Sequence, residues 1–241
     1  MFTNRGLNIF INADLCNGCG KCVIICPVSA IKLVDNKAII DEESCVECSV
    51  CYRNADCPVN AIKMKRLSWP REIRIPFSNV IATHKITSIP GRGTEEMKTN
   101  DVTNRYDIGE FGVSIEVGRP GVGTRLENIE LFTTKLAKIG VTYEEKSPVT
   151  SLIIDEQGHI NEQVKTERVL SAIIEFKIPL HKLPQVLNLI KEVEGKIDTV
   201  FSVGIISRID ENDTDDIINQ ISRLGFEVRP NAKINIGLGR P

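Results

Sequence analysis

The chain has 241 residues, and its 30 Lys and Arg against 32 Asp and Glu leave a formal net charge of −2. This balance gives no electrostatic pull toward nucleic acid or an anionic lipid surface, so neither is expected as a partner. Hydrophobic residues make up 41% and charged residues 26%, a composition typical of folded globular proteins and not of disordered chains. The length predicts one large domain or two small ones.

Apolar stretches are short along the whole sequence. None reaches the roughly 18 residues that a membrane-spanning helix needs. Residues 1–12 also lack the basic start, apolar middle and small-residue cleavage site of a secretory signal. We therefore expect a cytoplasmic protein that does not insert into a membrane.

All eight cysteines lie in the first quarter of the chain. They form two runs, in which three cysteines are separated by two residues each and a fourth is followed by proline. The first run is Cys16, Cys19, Cys22 and Cys26, and the second is Cys45, Cys48, Cys51 and Cys57. Three thiolates at two-residue gaps can point at one compact object, which predicts a local metal centre.

The two runs belong to an internal repeat. The first three cysteines recur 29 residues later, while most of the segment 26–32 recurs as 57–63, which is 31 residues later. The difference is a two-residue insertion within residues 52–56, between the third and fourth cysteines of the second run. The halves are duplicates, and this supports two similar centres.

Residues 16–63 resemble a bacterial-type ferredoxin domain that carries two 4Fe-4S clusters. In that family's pattern, the fourth cysteine of each run ligates the cluster of the other run. The resemblance therefore implies a first cluster on Cys16, Cys19, Cys22 and Cys57, and a second cluster on Cys45, Cys48, Cys51 and Cys26. Clusters with four cysteine ligands leave no iron open for substrate, so electron transfer is the expected role.

The resemblance also implies two hairpins and two short helices around the cysteines. One hairpin joins strands near residues 7–12 and 61–65, and the other joins strands near 32–33 and 37–40. The helices are expected after Gly18 and Cys48.

Zinc and disulfides are the alternative uses of these cysteines. Paired Cys-x-x-Cys units can form a tetrahedral zinc site, but zinc takes four ligands and usually spaces two pairs across a longer loop. Disulfides are rare in a reducing compartment, and residues 58–241 contain no cysteine. The sequence favours clusters over both alternatives.

Residues 67–108 separate the cysteine-rich part, residues 1–66, from the remainder. Several Pro and Gly interrupt this stretch and no long amphipathic period is present, which predicts an extended connector that packs on one or both sides. A short strand-like run spans residues 79–86. The single Trp, Trp69, is expected to cover apolar surface at the junction, with partner docking as the alternative.

Residues 109–241 alternate strand and helix patterns. Gly140 would end the first helix, and Asp210, Asn212 or Asp213 would cap the last. The element order resembles the small βαββαβ domains of the ACT and ferredoxin-like class, which implies an α+β fold with a C-terminal antiparallel α/β sandwich. Strands are predicted at 111–117, 141–145, 152–155, 171–178, 199–207, 226–229 and 232–236, and helices at 125–139, 183–193 and 213–224.

A glycine-rich loop lies between the first predicted strand and helix of this part. It contains Gly118, Gly121 and Gly123, with Arg119 and Arg125 nearby, and backbone amides in such loops can bind anions. It lacks the Lys-Ser/Thr ending of a P-loop and the full dinucleotide fingerprint. The sequence predicts a plain strand-to-helix turn, with a small-anion or effector site as the alternative.

No catalytic constellation accompanies these features. His84, His159 and His181 are isolated from one another and from paired carboxylates at catalytic spacing, so each is expected to be a surface or packing residue. The acidic residues between Asp210 and Asp216 lack the central glycine of a calcium loop and indicate a solvated helix start. We therefore expect a non-catalytic protein or subunit.

Two functions follow from the sequence. The favoured one is an iron-sulfur electron-transfer protein or redox subunit that passes single electrons through two 4Fe-4S clusters to a partner enzyme or larger complex. The alternative is a redox-linked regulatory or accessory component of an anaerobic enzyme, whose C-terminal part binds a small-molecule effector. A homo-oligomer formed through the C-terminal part is compatible with both.

Overall fold

A computed structural model describes residues 7–89, 105–119, 121–207 and 214–228. The cysteine-rich part contains two antiparallel strand pairs and two short helices, which confirms the predicted elements. The first pair joins β1 (Leu7–Ile11) to β4 (Ile62–Arg66), and the second joins β2 (Ile31–Val34) to β3 (Lys37–Ile40). The helices are α1 (Lys21–Ile24) and α2 (Val50–Asn54).

A tight turn between β2 and β3 lies against the first cysteine run. Asp35 and Asn36 adopt φ values of +47° and +58°, the left-handed pair that a two-residue hairpin turn requires. A Cβ at Gly18 would come within 2.4 Å of the Asn36 carbonyl oxygen. Glycine is therefore required at position 18 for space, as well as for its φ of +73°.

The segment after β4 links the two parts of the chain. A 3-10 turn (Arg71–Ile73) continues into α3 (Arg74–Ser78), where Phe77 is buried. The prediction of an extended connector is wrong over these residues. Pro70 precedes the 3-10 turn and Pro76 lies within the first turn of α3, where a missing amide donor is tolerated.

Turns and one indole contact complete the junction. The Asn79 side chain accepts a hydrogen bond from the Ile81 amide at 3.2 Å, a local bond that competes with strand pairing. The predicted strand at 79–86 is therefore wrong. Trp69 Nε1 donates to Gln163 Oε1 at 2.7 Å across the junction, and the residue remains 47% exposed.

A four-stranded antiparallel sheet forms the centre of the C-terminal part. The strands of this part are β5 (Glu110–Val117), β6 (Thr124–Arg125), β7 (Thr142–Tyr143), β8 (Arg168–Val169), β9 (Ala172–Pro179) and β10 (Phe201–Ser207). The order in the sheet is β10, β5, β9, β7, while β6 pairs separately with β8. Ile115 of β5 lies opposite Ile174 of β9, and both are buried in the main core.

Two helices contribute to that core. The apolar sides of α4 (Glu127–Ile139) and α5 (Leu183–Glu194) pack with alternate residues of β5 and β9. Gly140 ends α4 in the left-handed conformation, as predicted. A third helix, α6 (Thr214–Arg223), packs at the margin of the same core. No helix in the described ranges is both long and apolar enough to cross a membrane.

Of the strands predicted in this part, one is shorter than expected and another is not formed. The strand β7 has two residues, although residues 141–145 were expected. Residues 150–152 form a 3-10 turn and Ile153 makes only an isolated bridge to Ile160, so the predicted strand at 152–155 is wrong. The Asp155 side chain accepts two backbone amides that follow it, and this turns the chain.

The remaining boundaries of the C-terminal part agree with the predicted ones within two residues, except at the end of the chain. Residues 226–228 form no strand, so that prediction is wrong there. Residue 229, the predicted strand at 232–236 and the candidate caps Asp210, Asn212 and Asp213 lie outside the described residues.

Candidate metal centre

The Cys22 thiol has three other thiols around it. Burial is the largest cause that raises the pKa of Cys22, and the sulfurs of Cys16, Cys19 and Cys57 raise it further. Since Cys57 belongs to the second run, the fold carries it to the first three cysteines of the other run. Cys16 and Cys22 are buried, whereas Cys19 is exposed.

A second group of thiols consists of Cys45, Cys48 and Cys51 together with Cys26. Burial raises the pKa of Cys51 to about 12, and the charges of the other three thiols raise it further. Burial also raises the pKa of Cys45 to about 12, and it raises the pKa of Cys48, near which Cys26 lies. Such thiols stay protonated until a metal displaces the proton.

A cavity lies between the residues of the second group. Its empty volume is about 350 Å³, part of which is open to solvent, and all four cysteines line it. Much of its remaining wall is apolar and includes Ile9, Val28, Ile31 and Ile40. An apolar wall limits the access of water to a metal group bound inside.

Backbone amides point at the sulfur of the fourth cysteine in each run. Ala30 donates to Cys26 Sγ at 3.2 Å, and Ala61, its counterpart in the repeat, donates to Cys57 Sγ at 3.3 Å. Burial acts to raise the pKa of Cys57, but hydrogen bonds from backbone amides outweigh it, so this pKa is lowered. Amide donors stabilise the thiolate form that ligates iron.

The donor set suits 4Fe-4S clusters. Eight thiols occur as two groups of four, with amide donors to sulfur and, at the second group, an apolar cavity. Cluster irons are held by Cys thiolates, four for each cluster. Among the residues that the structure describes, no three His, Cys, Asp or Glu are positioned to hold a single metal ion.

Arg74 connects the second group to the C-terminal part. Its Nη1 donates to the Cys45 carbonyl oxygen at 2.6 Å and to the Glu42 carbonyl oxygen at 2.9 Å. Its Nε pairs with the Glu167 carboxylate, which precedes β8. The residue is 4% exposed, so this link is shielded from water. Sequence reasoning missed Arg74, because its partners are distant along the chain.

Glu47 and Arg71 form a further pair beside the second group. Glu47 is 1% exposed and lines the cavity, and its Oε1 lies 2.7 Å from Arg71 Nη2. Sequence reasoning missed both residues. A signal for Glu47 exists in the repeat, because Glu47 occupies the place that Gly18 has in the first run.

The glycine-rich loop, with a ligand site as the alternative to a plain turn, reaches the cysteine-rich part. Gly118, Gly121 and Gly123 have φ values of +87°, +53° and +80°. Three amides at this loop donate to backbone carbonyls, two of them within the loop. A Cβ at Gly123 would lie 3.5 Å from Val28 Cγ1, which belongs to the cavity wall. The loop therefore lies next to the second group, and a small-anion or effector site stays the alternative to a plain turn.

The three histidines lie apart from the thiol groups. His84 is buried at the junction with its ring edge-on to Phe77, and burial lowers its pKa. His159 pairs with Asp155, and His181 is exposed. These positions agree with the predicted packing and surface roles.

Comparison with known proteins identifies the family of the first cysteine run. The model of the 4Fe-4S binding domain matches residues 9–32. Pyruvate synthase subunit PorD of Methanothermobacter marburgensis is 39% identical over 62 residues, which are 26% of this chain and 70% of that protein. A ferredoxin-like protein in the nif region of Sinorhizobium fredii is 38% identical over 47 residues, which are 20% of this chain and 73% of that protein.

A further relative is matched over a small part of its length. Formate hydrogenlyase subunit 2 of Escherichia coli is 38% identical over 65 residues, which are 26% of this chain and 30% of that protein. The three alignments thus involve about a quarter of this chain or less. No solved structure matches.

Proposed function

Because the chain belongs to the 4Fe-4S binding domain family through its N-terminal part, we propose that it is an electron-transfer protein or redox subunit with two 4Fe-4S clusters. The main support is the sorting of eight thiols into two groups of four. When bound, a 4Fe-4S cluster supplies one-electron transfer at a potential that the protein sets. Eight cysteines kept as thiolate ligands and not as disulfides suit a reducing compartment, so the cytoplasm is the proposed location.

We assign the ligands in the crossed arrangement. Support comes from the neighbours of Cys22 and Cys51, which in each case include the fourth cysteine of the other run. The largely apolar wall of the cavity at the second group limits the access of water to that cluster. The first cluster takes Cys16, Cys19, Cys22 and Cys57, and the second takes Cys45, Cys48, Cys51 and Cys26.

The first cluster is the proposed site of electron exchange with a partner. Cys19 is exposed, and the nearby apolar residues Leu15 and Ile24 are 45% and 85% exposed. Exposed apolar side chains beside a redox group favour protein docking. By name, PorD is a subunit of pyruvate synthase and the Escherichia coli relative is a subunit of formate hydrogenlyase, which supports a partner enzyme or complex for this chain.

The C-terminal part is proposed to be an antiparallel α/β sandwich of ferredoxin-like type. Along the chain its elements run β5, α4, β7, β9, α5, β10, and the sheet order is β10, β5, β9, β7. A βαββαβ unit with this interleaved order supports the proposal. We divide the chain into residues 1–66, 67–108 and 109–241, and we propose that the last part docks the partner or pairs with a second copy.

Metal and sulfide analysis tests the proposed function. Protein prepared without oxygen should contain about eight iron and about eight sulfide per chain, because two four-iron clusters require them. Zinc without sulfide would overturn the cluster proposal. About four iron and four sulfide in fully loaded protein would overturn the second cluster alone.

A further inference from the structure

Glu47 stands where the first cysteine run has a glycine. Gly18 lies between the first two cysteines of run one, and Glu47 occupies the same place in run two. Both have left-handed backbones, with φ values of +73° and +58°. Glycine adopts this conformation freely, whereas glutamate is strained in it. A strained residue that persists next to a ligand group suggests a functional reason for keeping its side chain.

The Glu47 carboxylate is built into the second thiol group. The residue is 1% exposed and lines the same cavity as the four cysteines. Its Oε1 accepts a hydrogen bond from Arg71 Nε at 2.8 Å. Its Oε2 is buried and has no hydrogen-bond partner among the described residues. Burial raises the pKa of Glu47, and the nearby Arg71 and Arg74 oppose that rise, so these cations are what hold a negative charge in the cavity wall.

One cation at each thiol group makes the same backbone contact, and Arg53 lies near Cys48 of the second group in addition. Lys37 Nζ donates to the carbonyl oxygen of the first cysteine in run one at 2.6 Å, and Arg74 Nη1 does the same in run two at 2.6 Å. These contacts therefore do not distinguish the groups. The Glu47–Arg71 pair does, because the first run has an uncharged glycine in that place.

We propose that Glu47 lowers the reduction potential of the second cluster, and that Arg71 positions its carboxylate and offsets its charge. This inference rests on the proposed function, since it requires a cluster at the second group. A fixed negative charge in a desolvated site disfavours the arrival of an electron. Charges and hydrogen bonds outside the ligand shell are known determinants of cluster potentials.

The two charged residues have opposite effects. Removal of the Glu47 charge raises the potential of the second cluster, and removal of the Arg71 charge lowers it. If the pair had a purely structural role, both changes would loosen the same contact, and they would not shift the potential in opposite directions. The sign of the two shifts is thus the readout that separates an electrostatic role from a structural one.

The test is an anaerobic redox titration of the full chain, followed by EPR spectroscopy of each cluster. Glu47→Gln should raise the equilibrium constant for one-electron reduction of one cluster about tenfold, a shift of about 59 mV, and leave the other cluster unchanged. Glu43→Gln is the matched control. Glu43 lies just before the second run and is exposed, so this change should shift neither potential. Unchanged potentials in Glu47→Gln would overturn the inference.

Arg71→Gln provides the second arm of the test. It should lower the potential of the same cluster. A raised or unchanged potential would overturn the inference. This result stands on its own if the Glu47→Gln variant fails to assemble its clusters. Iron and sulfide counts distinguish a failure of this inference from a failure of the proposed function. About eight of each with unmoved potentials refute only the role of Glu47, whereas about four of each in the unaltered protein refute the second cluster itself.

Discussion

Cys57 is the last cysteine of the second run, yet its thiol lies beside Cys22 of the first. Its replacement should therefore damage the cluster of the run to which it does not belong. We expect Cys57→Ala to retain about four of eight irons, and to give the same EPR spectrum as Cys19→Ala. Iron analysis and EPR of the two variants, prepared without oxygen, measure this.

Cys48→Ala is the reciprocal control for that comparison. It removes a ligand of the second group, and Cys26→Ala should give the same remaining spectrum because both thiols lie near Cys51. A Cys57→Ala spectrum that coincides with that of Cys48→Ala would refute the crossed assignment.

The ligand cysteines could be predicted because their spacing is local and repeated. Arg74 could not, since its partners Glu167 and Cys45 are 93 and 29 residues away along the chain. Glu47 is an intermediate case. Its alignment with Gly18 is visible in the repeat, but its burial and its pairing with Arg71 depend on the fold of the segment after β4.

The helix α3 holds the two parts of the molecule together through a buried ion pair. The side chains of Arg74 and Glu167 are only 5% and 10% exposed. Arg74→Met leaves the Glu167 carboxylate buried without its cation, and removing one partner of a buried pair costs about 3–5 kcal/mol. Denaturant unfolding under anaerobic conditions, compared with the unaltered protein, should show a loss of this size.

An exposed ion pair in the same segment supplies the control. Lys85 lies 3.7 Å from Glu72, and its side chain is 77% exposed. Exposed pairs contribute little, so Lys85→Met should change the free energy of unfolding by no more than about 0.5 kcal/mol. Equal stability of Arg74→Met and Lys85→Met would refute a linking role for α3.

Elements with a clear period could be predicted from the sequence, and those set by turns could not. The strands β5 and β9 and the helices α4 and α5 show long apolar patterns, and their limits lie within two residues of the expected ones. The helix α3 has five residues including a proline, too few for a period to be visible. Residues 152–155 are apolar enough for a strand, but the Asp155 side chain turns the chain at their end.

The two cysteine runs are similar in sequence but occupy different surroundings in the whole molecule. The first group includes the exposed Cys19, so one of its ligands is in contact with solvent. The second group lies beside the junction, where Val28 of its cavity wall approaches Gly123 and where Arg74 reaches the C-terminal part. A duplicated sequence thus gives two centres with different surroundings, because within the described ranges the second one borders the C-terminal part.

This asymmetry predicts different rates of iron loss from the two clusters. With a ferrous chelator and a mild oxidant, iron should appear in two phases of about four atoms each, the faster from the cluster that includes Cys19. Cys48→Ala should show only the fast phase and Cys19→Ala only the slow one. Since the junction shields the second cluster, Arg74→Met should speed the slow phase and leave the fast phase unchanged. A single phase, or slow release from Cys48→Ala, would contradict this order of exposure.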